Sequence, residues 1–273
     1  MGSMNVTPPP LAAPPPRVVL FDWHATLADT MDAMYYALDD VIPKLADLGL
    51  IEHLVPPELS RTTEDARLVQ YVRLHGALHP KIKAQRRISR TDIFELLFGD
   101  DEQAKKIAHR EFDRSYERYF GPVKPMEANA RRHLESLRER GIRLGVLSNR
   151  ARRFMAHEIY VIDGTGWQDL FDAIVCGDDV QRRKPFPDLI VRALEQIGAP
   201  VDRSCWYVGD SIADVEAGKS AGVTTLFYNG AAWTSEWIGR IFPGTQRSPH
   251  RPDGVVANLA ELDRLIDAAA TPS

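Results

Sequence analysis

The sequence predicts an α/β fold: a doubly wound, Rossmann-like parallel sheet with a helical lobe inserted after its first strand. Three observations predict it. Five short apolar runs, residues 17–21, 143–147, 173–176, 205–208 and 223–228, read as strands buried on both faces. Segments with helical spacing, 128–140, 150–160, 188–197 and 212–221, alternate with the later runs, the pattern of a parallel sheet flanked by helices. Residues 31–125 break that alternation, with helical periodicity and almost no strand-like run, so they form a lobe of their own.

Taken in order, residues 1–16 are expected to be a disordered leader. Met1-Gly2-Ser3-Met4 looks like an expression scar, and 7–16 is a Pro/Ala tract that lacks the apolar helical segment of a signal peptide. The first strand follows and ends on Asp22. In the lobe, Met34, Tyr35, Leu38, Val41, Ile42 and Leu45 follow the spacing of one apolar helix face. Thr62 before Asp65 and Ser89 before Asp92 look like capping boxes that open further helices, and a last lobe helix is expected over 102–119. The core domain comprises 17–30 and 126–273. Within it, 230–253 holds two Trp and three Pro without a period, which predicts a loop or short helix against the core. Val255-Val256 predicts an edge strand and 259–268 an amphipathic helix. There is no internal repeat.

Composition narrows the partners. A net charge of -4 over 273 residues gives no field that would gather nucleic acid or an anionic membrane. No apolar run is long enough to span a bilayer. The two cysteines, Cys176 and Cys205, lie in apolar runs and read as buried thiols of a reducing compartment, hence the cytoplasm. Neither nucleic acid nor membrane is an expected partner, the chain is expected to be a monomer or homodimer, and its partner is to be read from the site.

The site is read from the strand ends. In an open parallel sheet, ligands bind beyond the carboxyl ends of the strands. Asp22 ends the first run, Ser148-Asn149 the second, Gly177-Asp178-Asp179 the third and Gly209-Asp210-Ser211 the fourth, with Lys184 shortly after the third. Two carboxylates hold a hard cation such as Mg2+ through oxygen, while Lys and Ser neutralise and orient phosphoryl oxygens. A carboxylate nucleophile splits hydrolysis into two displacements through an acyl phosphate.

The segments Asp22-x-His24-Ala25-Thr26-Leu27, Leu147-Ser148-Asn149, Lys184-Pro185-Phe186-Pro187-Asp188 and Gly209-Asp210-Ser211-x-x-Asp214 resemble, in order, the four motifs of haloacid-dehalogenase-like phosphatases. The resemblance is to the phosphoglycolate-phosphatase-like branch with a helical cap, and it covers about 17–30 and 127–228. It implies that Asp22 is nucleophile and metal ligand, that the His24 carbonyl is a second ligand, and that Asp210 is the acidic ligand, with Asp214 supporting that shell. It further implies phosphate binding by Ser148, Asn149 and Lys184, with Lys184 also restraining Asp22, a small phosphorylated substrate as partner, a Mg2+ cofactor, and a lobe that closes over the site on a hinge at 27–30.

One position departs from the pattern. Two residues after the nucleophile such phosphatases carry a second Asp, which protonates the leaving group; here it is His24, followed by Ala25 rather than Gly. Three readings stay open. His24 does the acid/base work, since an imidazole titrates near about 6.5 and such help is worth roughly 100- to 10,000-fold. Alternatively the leaving group needs no acid, as in phosphonoacetaldehyde hydrolases, which use a cap lysine; Lys44, Lys81 and Lys83 are available. Or catalysis is weak and the site senses a phosphate ligand.

Taken singly, these residues also have plainer readings. Asp210 and Asp214 suit an ordinary helix N-terminus, Ser148-Asn149 a helix cap, and Lys184 a solvated loop. Asp178 and Asp179 read as solvent-facing loop acids, His75 and His79 as surface or core residues, and Trp233, Trp237 and Phe242 as packing. Residues 67–91 carry seven basic residues, Arg67, Arg73, Lys81, Lys83, Arg86, Arg87 and Arg90, and no acid. They read first as a solvated face paired with acids of the lobe, and second as binders of another anionic group on the substrate.

Overall fold

The computed structural model describes residues 11–85, 88–121, 123–246 and 248–271. The chain begins with β1 (Val18–Asp22) and the two-residue β2 (Ala28–Asp29), then enters the lobe. The lobe contains α1 (Met31–Val41), α2 (Thr63–His75), α3 (Pro80–Gln85), α4 (Arg90–Phe98) and α5 (Glu102–Tyr116). The chain returns through β3 (Lys124–Pro125) to α6 (Ala130–Glu139), β4 (Arg143–Ser148), α7 (Arg152–Val161), β5 (Ala173–Cys176) and α8 (Asp188–Ile197). It closes with β6 (Cys205–Gly209), α9 (Ile212–Ala221), β7 (Thr224–Tyr228), α10 (Ser235–Ile241), β8 (Gly254–Val256) and α11 (Leu259–Ala270). Among the described residues one six-stranded sheet forms, in the order β5-β4-β1-β6-β7-β8, with every neighbouring pair parallel.

Strand chemistry produces this arrangement. The period of two in β1 sends Val19 and Phe21 into one apolar cluster and Val18 and Leu20 into another. β6 divides in the same way, Trp206 and Val208 against Cys205 and Tyr207. Strands apolar on both sides belong in the interior of a parallel sheet covered by helices. Strand order runs outward from β1 through β4 to β5 and restarts on the other side at β6, so it reverses between β1 and β6. Loops part at such a reversal and leave a crevice. The register brings the strand ends level there, with Asp22 opposite Leu147 and Phe21 opposite Val208.

The lobe has its own apolar core, which includes Met34, Tyr35, Leu38, Val41, Ile42 and Leu45. The side chains of Thr62 and Ser89 accept the backbone N–H of Asp65 and Asp92 and so open α2 and α4. Its two connections to the core, β2 and β3, pair antiparallel, Ala28 opposite Pro125 and Asp29 opposite Lys124. Phe154 of α7 joins the lobe's apolar cluster, so the lobe is seated on the core as well as tethered to it.

Three expectations need correction. The leader was expected to be disordered through residue 16, but Leu11 and Ala13 pack on the core, Pro16 is buried, and the Pro14 carbonyl accepts from Trp206 Nε1 at 3.0 Å. A Pro/Ala tract cannot form a helix, yet its carbonyls and methyl groups can still line a groove. Residues 1–10 of that leader lie outside the described residues. The last lobe helix ends at Tyr116 rather than 119. Finally, the basic run is a face paired with lobe acids only in part. Arg73 donates to the carbonyls of Ile51 and Leu54, Lys81 and Lys83 pair with Glu64 and Asp39, and Arg90 is buried at the cleft; Arg86 and Arg87 lie outside the described residues. Cys176 and Cys205 are buried free thiols. Among the described residues no helix is long and apolar enough to cross a membrane.

Candidate active site

β1 delivers Asp22 to the crevice, where its carboxylate accepts a hydrogen bond from Lys184 Nζ; both side chains are buried. Lys184 Nζ also donates to Asp214 Oδ1 at 2.7 Å and to the Tyr207 hydroxyl at 3.2 Å, so all three ammonium protons are used. The Tyr207 hydroxyl donates in turn to Asp214 Oδ1. The other oxygen of Asp214 accepts from the Ser211 backbone N–H at 3.1 Å and from the Ser211 hydroxyl. Asp214 and Ser211 form a capping box at the start of α9, so the helix-cap reading and the functional one hold together. The same local structure that starts the helix aims a carboxylate at Lys184. Gly209 is needed for this close packing, because a Cβ there would sit 2.4 Å from Asp214 Cγ.

Three carboxylates, Asp22, Asp210 and Asp214, offer oxygens within 4.8 Å of one another. Burial pushes the Asp22 carboxyl up to about 7 despite the pull of Lys184. Burial, reinforced by Asp22, Asp214 and Asp92, drives Asp210 well above the usual carboxylate range. Burial works against the charge of Lys184, but Asp214 and Asp22 outweigh it and raise the ammonium pKa. One lysine among these acids leaves the cluster short of positive charge. A hard divalent cation bound by oxygen fits that deficit, and Asp22 and Asp210 could hold it. Asp214, expected in the metal shell, already carries four hydrogen bonds and serves as the anchor of Lys184.

Ser148 ends β4 and is fully buried at the cleft. Asn149 also lines the cleft, and its side chain is held by neighbours. Its Nδ2 donates to the Lys184 carbonyl at 2.9 Å and to Thr91 Oγ1 at 3.1 Å, and its Oδ1 accepts the Lys184 N–H at 2.9 Å. The amide is spent on holding the Lys184 loop and α4 together. Asp178 and Asp179 stay out of the site: Asp178 accepts the Arg152 N–H and Asp179 its guanidinium, which fixes the start of α7.

His24 lines the cleft with one edge and the core–lobe junction with the other. Its Nδ1 lies 2.6 Å from Thr30 Oγ1, and its Nε2 lies 3.5 Å from Glu158 Oε2. Burial, with Arg150, Arg90 and Lys184 nearby, holds the imidazole pKa well below its ordinary value, so the ring is neutral. Ala25 beside it adopts φ 61°, the left-handed region that favours glycine.

Several participants are not obvious in the sequence. Arg90 is buried from the lobe side, donating to Asp113 at 3.1 Å and to the Asn149 carbonyl at 3.1 Å; burial, against the pull of Asp113, lowers its pKa to about 9. Asp92 accepts the N–H groups of Ile212 and Ala213 at the start of α9, across the core–lobe boundary. Glu158 is the only acid on the buried face of α7, between Met155 and Ile159, a placement that hints at burial but names no partner. Tyr207 reads as an ordinary strand residue.

Comparison with known proteins meets this geometry. The family model for haloacid dehalogenase-like hydrolases matches residues 79–228, more than half of the chain, with the ends of β4, β5 and β6 inside the match and Asp22 outside it. The chain belongs to that family. A phosphoglycolate phosphatase from Aquifex aeolicus is 26% identical over 251 residues, covering 92% of this chain and 97% of that one. The pyrophosphatase PpaX from Bacillus pumilus is 30% identical over 135 residues, 50% of this chain; the match spans 56% of that enzyme. A hydrolase from Pseudomonas syringae has the same fold, with a TM-score of 0.60 at 19% identity over 93% of this chain and 100% of that one. Within the haloacid dehalogenase-like hydrolases, the chain is similar to phosphoglycolate phosphatases over most of its length.

Proposed function

We propose that the protein is a Mg2+-dependent phosphatase that hydrolyses a small phosphate monoester through an aspartyl-phosphate on Asp22. The observation that carries this reading is the Lys184 ammonium shared by Asp22 and Asp214 at the reversal of strand order. Lys184 keeps one Asp22 oxygen restrained and leaves the other to attack phosphorus. The attack forms the Asp22–phosphoryl bond as the ester oxygen departs with its electron pair. Water then attacks the phosphorus, releases inorganic phosphate and restores the carboxylate. Ser148 would receive a phosphoryl oxygen, with the Lys184 ammonium supplying positive charge beside it. Asp22 and Asp210 would hold the Mg2+, which when bound supplies positive charge to the phosphoryl oxygens and to the acids around them.

The lobe closes the cleft from above with Arg90 and Met34, which favours a small substrate shielded from bulk water. The carbon–phosphorus alternative needs a lobe lysine at the cleft. Lys44, Lys81 and Lys83 instead pair with Glu111, Glu64 and Asp39, and Lys184 is the cleft's lysine among the described residues.

The test is turnover of an aryl phosphate and of a panel of phosphorylated metabolites, with and without Mg2+, in wild type and Asp22→Asn. A Mg2+-dependent rate lost in Asp22→Asn supports the reading. A rate equal to that of the variant removes it and leaves a phosphate-ligand sensor.

A further inference from the structure

Glu158 lies outside the four strand-end segments and is fully buried, yet four pieces of the site converge on its carboxylate. Oε2 accepts from Trp23 Nε1 at 2.9 Å and faces His24 Nε2 at 3.5 Å. Oε1 accepts from the Tyr116 hydroxyl at 2.8 Å and from Arg150 Nη1 at 3.3 Å. Trp23 and His24 follow Asp22 directly. Arg150 follows Ser148 by two residues and lies over the Tyr116 ring at 3.7 Å from its centroid. Tyr116 ends α5, the last lobe helix, while Thr30, which contacts His24 Nδ1 at 2.6 Å, is the N-cap residue of α1, the first.

A chain of side chains, Thr30, His24, Glu158 and Tyr116, therefore joins both ends of the lobe through the residues next to the nucleophile. A carboxylate can only accept, so the ring nitrogen that faces it carries the proton, and Nδ1 then accepts from the Thr30 hydroxyl. His24 Nε2 is buried with no formed hydrogen bond, and Glu158 is the acceptor within reach.

We propose that Glu158 is a positioning residue for the reaction: it holds Trp23 and the His24 imidazole, as the Nε2–H tautomer, so that the loop carrying Asp22 keeps its register with the lobe. The proposal rests on the reading of Asp22 as nucleophile. Glu158 touches no reacting atom. It acts through the orientation of its neighbours, and a loop that shifts by an ångström loses rate rather than affinity.

The experiment compares the full-length wild type with Glu158→Gln, a substitution of equal size that leaves one accepting oxygen. We expect kcat to fall about 10-fold or more with KM unmoved, in line with what residues behind a reactive group contribute. We also expect 15N NMR of His24 to change from a single Nε2–H tautomer to a mixture, which loss of packing alone would not produce. A His24 tautomer identical in the two proteins, or a kcat within about twofold of wild type, overturns the proposal. If Glu158→Gln does not fold, Tyr116→Phe removes a single donor to the same carboxylate. A lowered kcat at constant KM then supports the proposal, and an unchanged kcat overturns it. Asp22→Asn separates the two readings: Mg2+-dependent turnover in that variant defeats the nucleophile assignment, whereas the tautomer of His24 is read without turnover and still decides the role of Glu158.

Discussion

Asp92, in the first turn of lobe helix α4, accepts the backbone N–H of Ile212 at 3.1 Å in the first turn of core helix α9. The N–H of Ala213 reaches the same carboxylate at 3.2 Å. A helix leaves its first N–H groups unpartnered, and here the lobe supplies the acceptor. Two residues before Ile212 stands Asp210. Seating of the lobe and placement of the candidate metal ligand are thus one contact.

Asp92→Ala strands two buried N–H groups. We expect a stability loss of about 1–3 kcal/mol in urea denaturation. Asp92→Asn, which keeps an accepting oxygen, should lose less. Equal stability of wild type and Asp92→Ala would show that the latch contributes nothing.

The same residue gives a pH dependence. Burial raises Asp92 from 3.8 to about 7, against the two backbone hydrogen bonds that favour its charge. A carboxyl raised on folding binds its proton more tightly in the native state. Its contribution is therefore complete below 3.8 and is lost as pH rises through about 7. The stability of wild type relative to Asp92→Asn should shrink between pH 5 and pH 8. A difference that stays constant or grows across that window would contradict the shift.

Ala25 holds the left-handed turn that closes the Asp22 loop, where Leu27 and Ala28 return their N–H groups to the Trp23 carbonyl. Glycine removes the Cβ strain but adds freedom to the unfolded chain. The balance predicts that Ala25→Gly stabilises by roughly 0.5–1 kcal/mol. A lowered Tm would mean that the methyl packing outweighs the strain.

Gly209→Ala places a methyl group against Asp214, 2.4 Å from its Cγ. The carboxylate must move and Lys184 with it. We expect phosphatase activity to drop by about 10-fold or more, as for other residues that orient a reactive group. Circular dichroism should remain near wild type. Retained activity would argue that Asp214 does not need its present position.

Much of the architecture was legible in the sequence. Residues 17–21 and 205–208 were read as strands because their apolar side chains serve both faces, and such strands must lie inside a parallel sheet. Asp22, Ser148, Lys184 and Asp210 were legible because the ends of parallel strands share one edge whatever the order of the strands. The lobe was visible through a change of period. Residues 11–16 were misjudged because composition reports helix propensity and says nothing about a groove on the core.

The sequence by itself determined which residues stand at the strand ends, and with them the acids and the lysine of the proposed chemistry. Only the tertiary structure decided what those residues lean on. Trp23 meets Glu158 across 135 residues, Asp92 meets Ile212 across 120, and the amide of Asn149 ties the Lys184 carbonyl to Thr91. Local propensity and periodicity depend on neighbours three or four residues away. Partners set by the docking of a lobe on a sheet leave no such local trace, and so His24 could be located in advance while the carboxylate behind it could not.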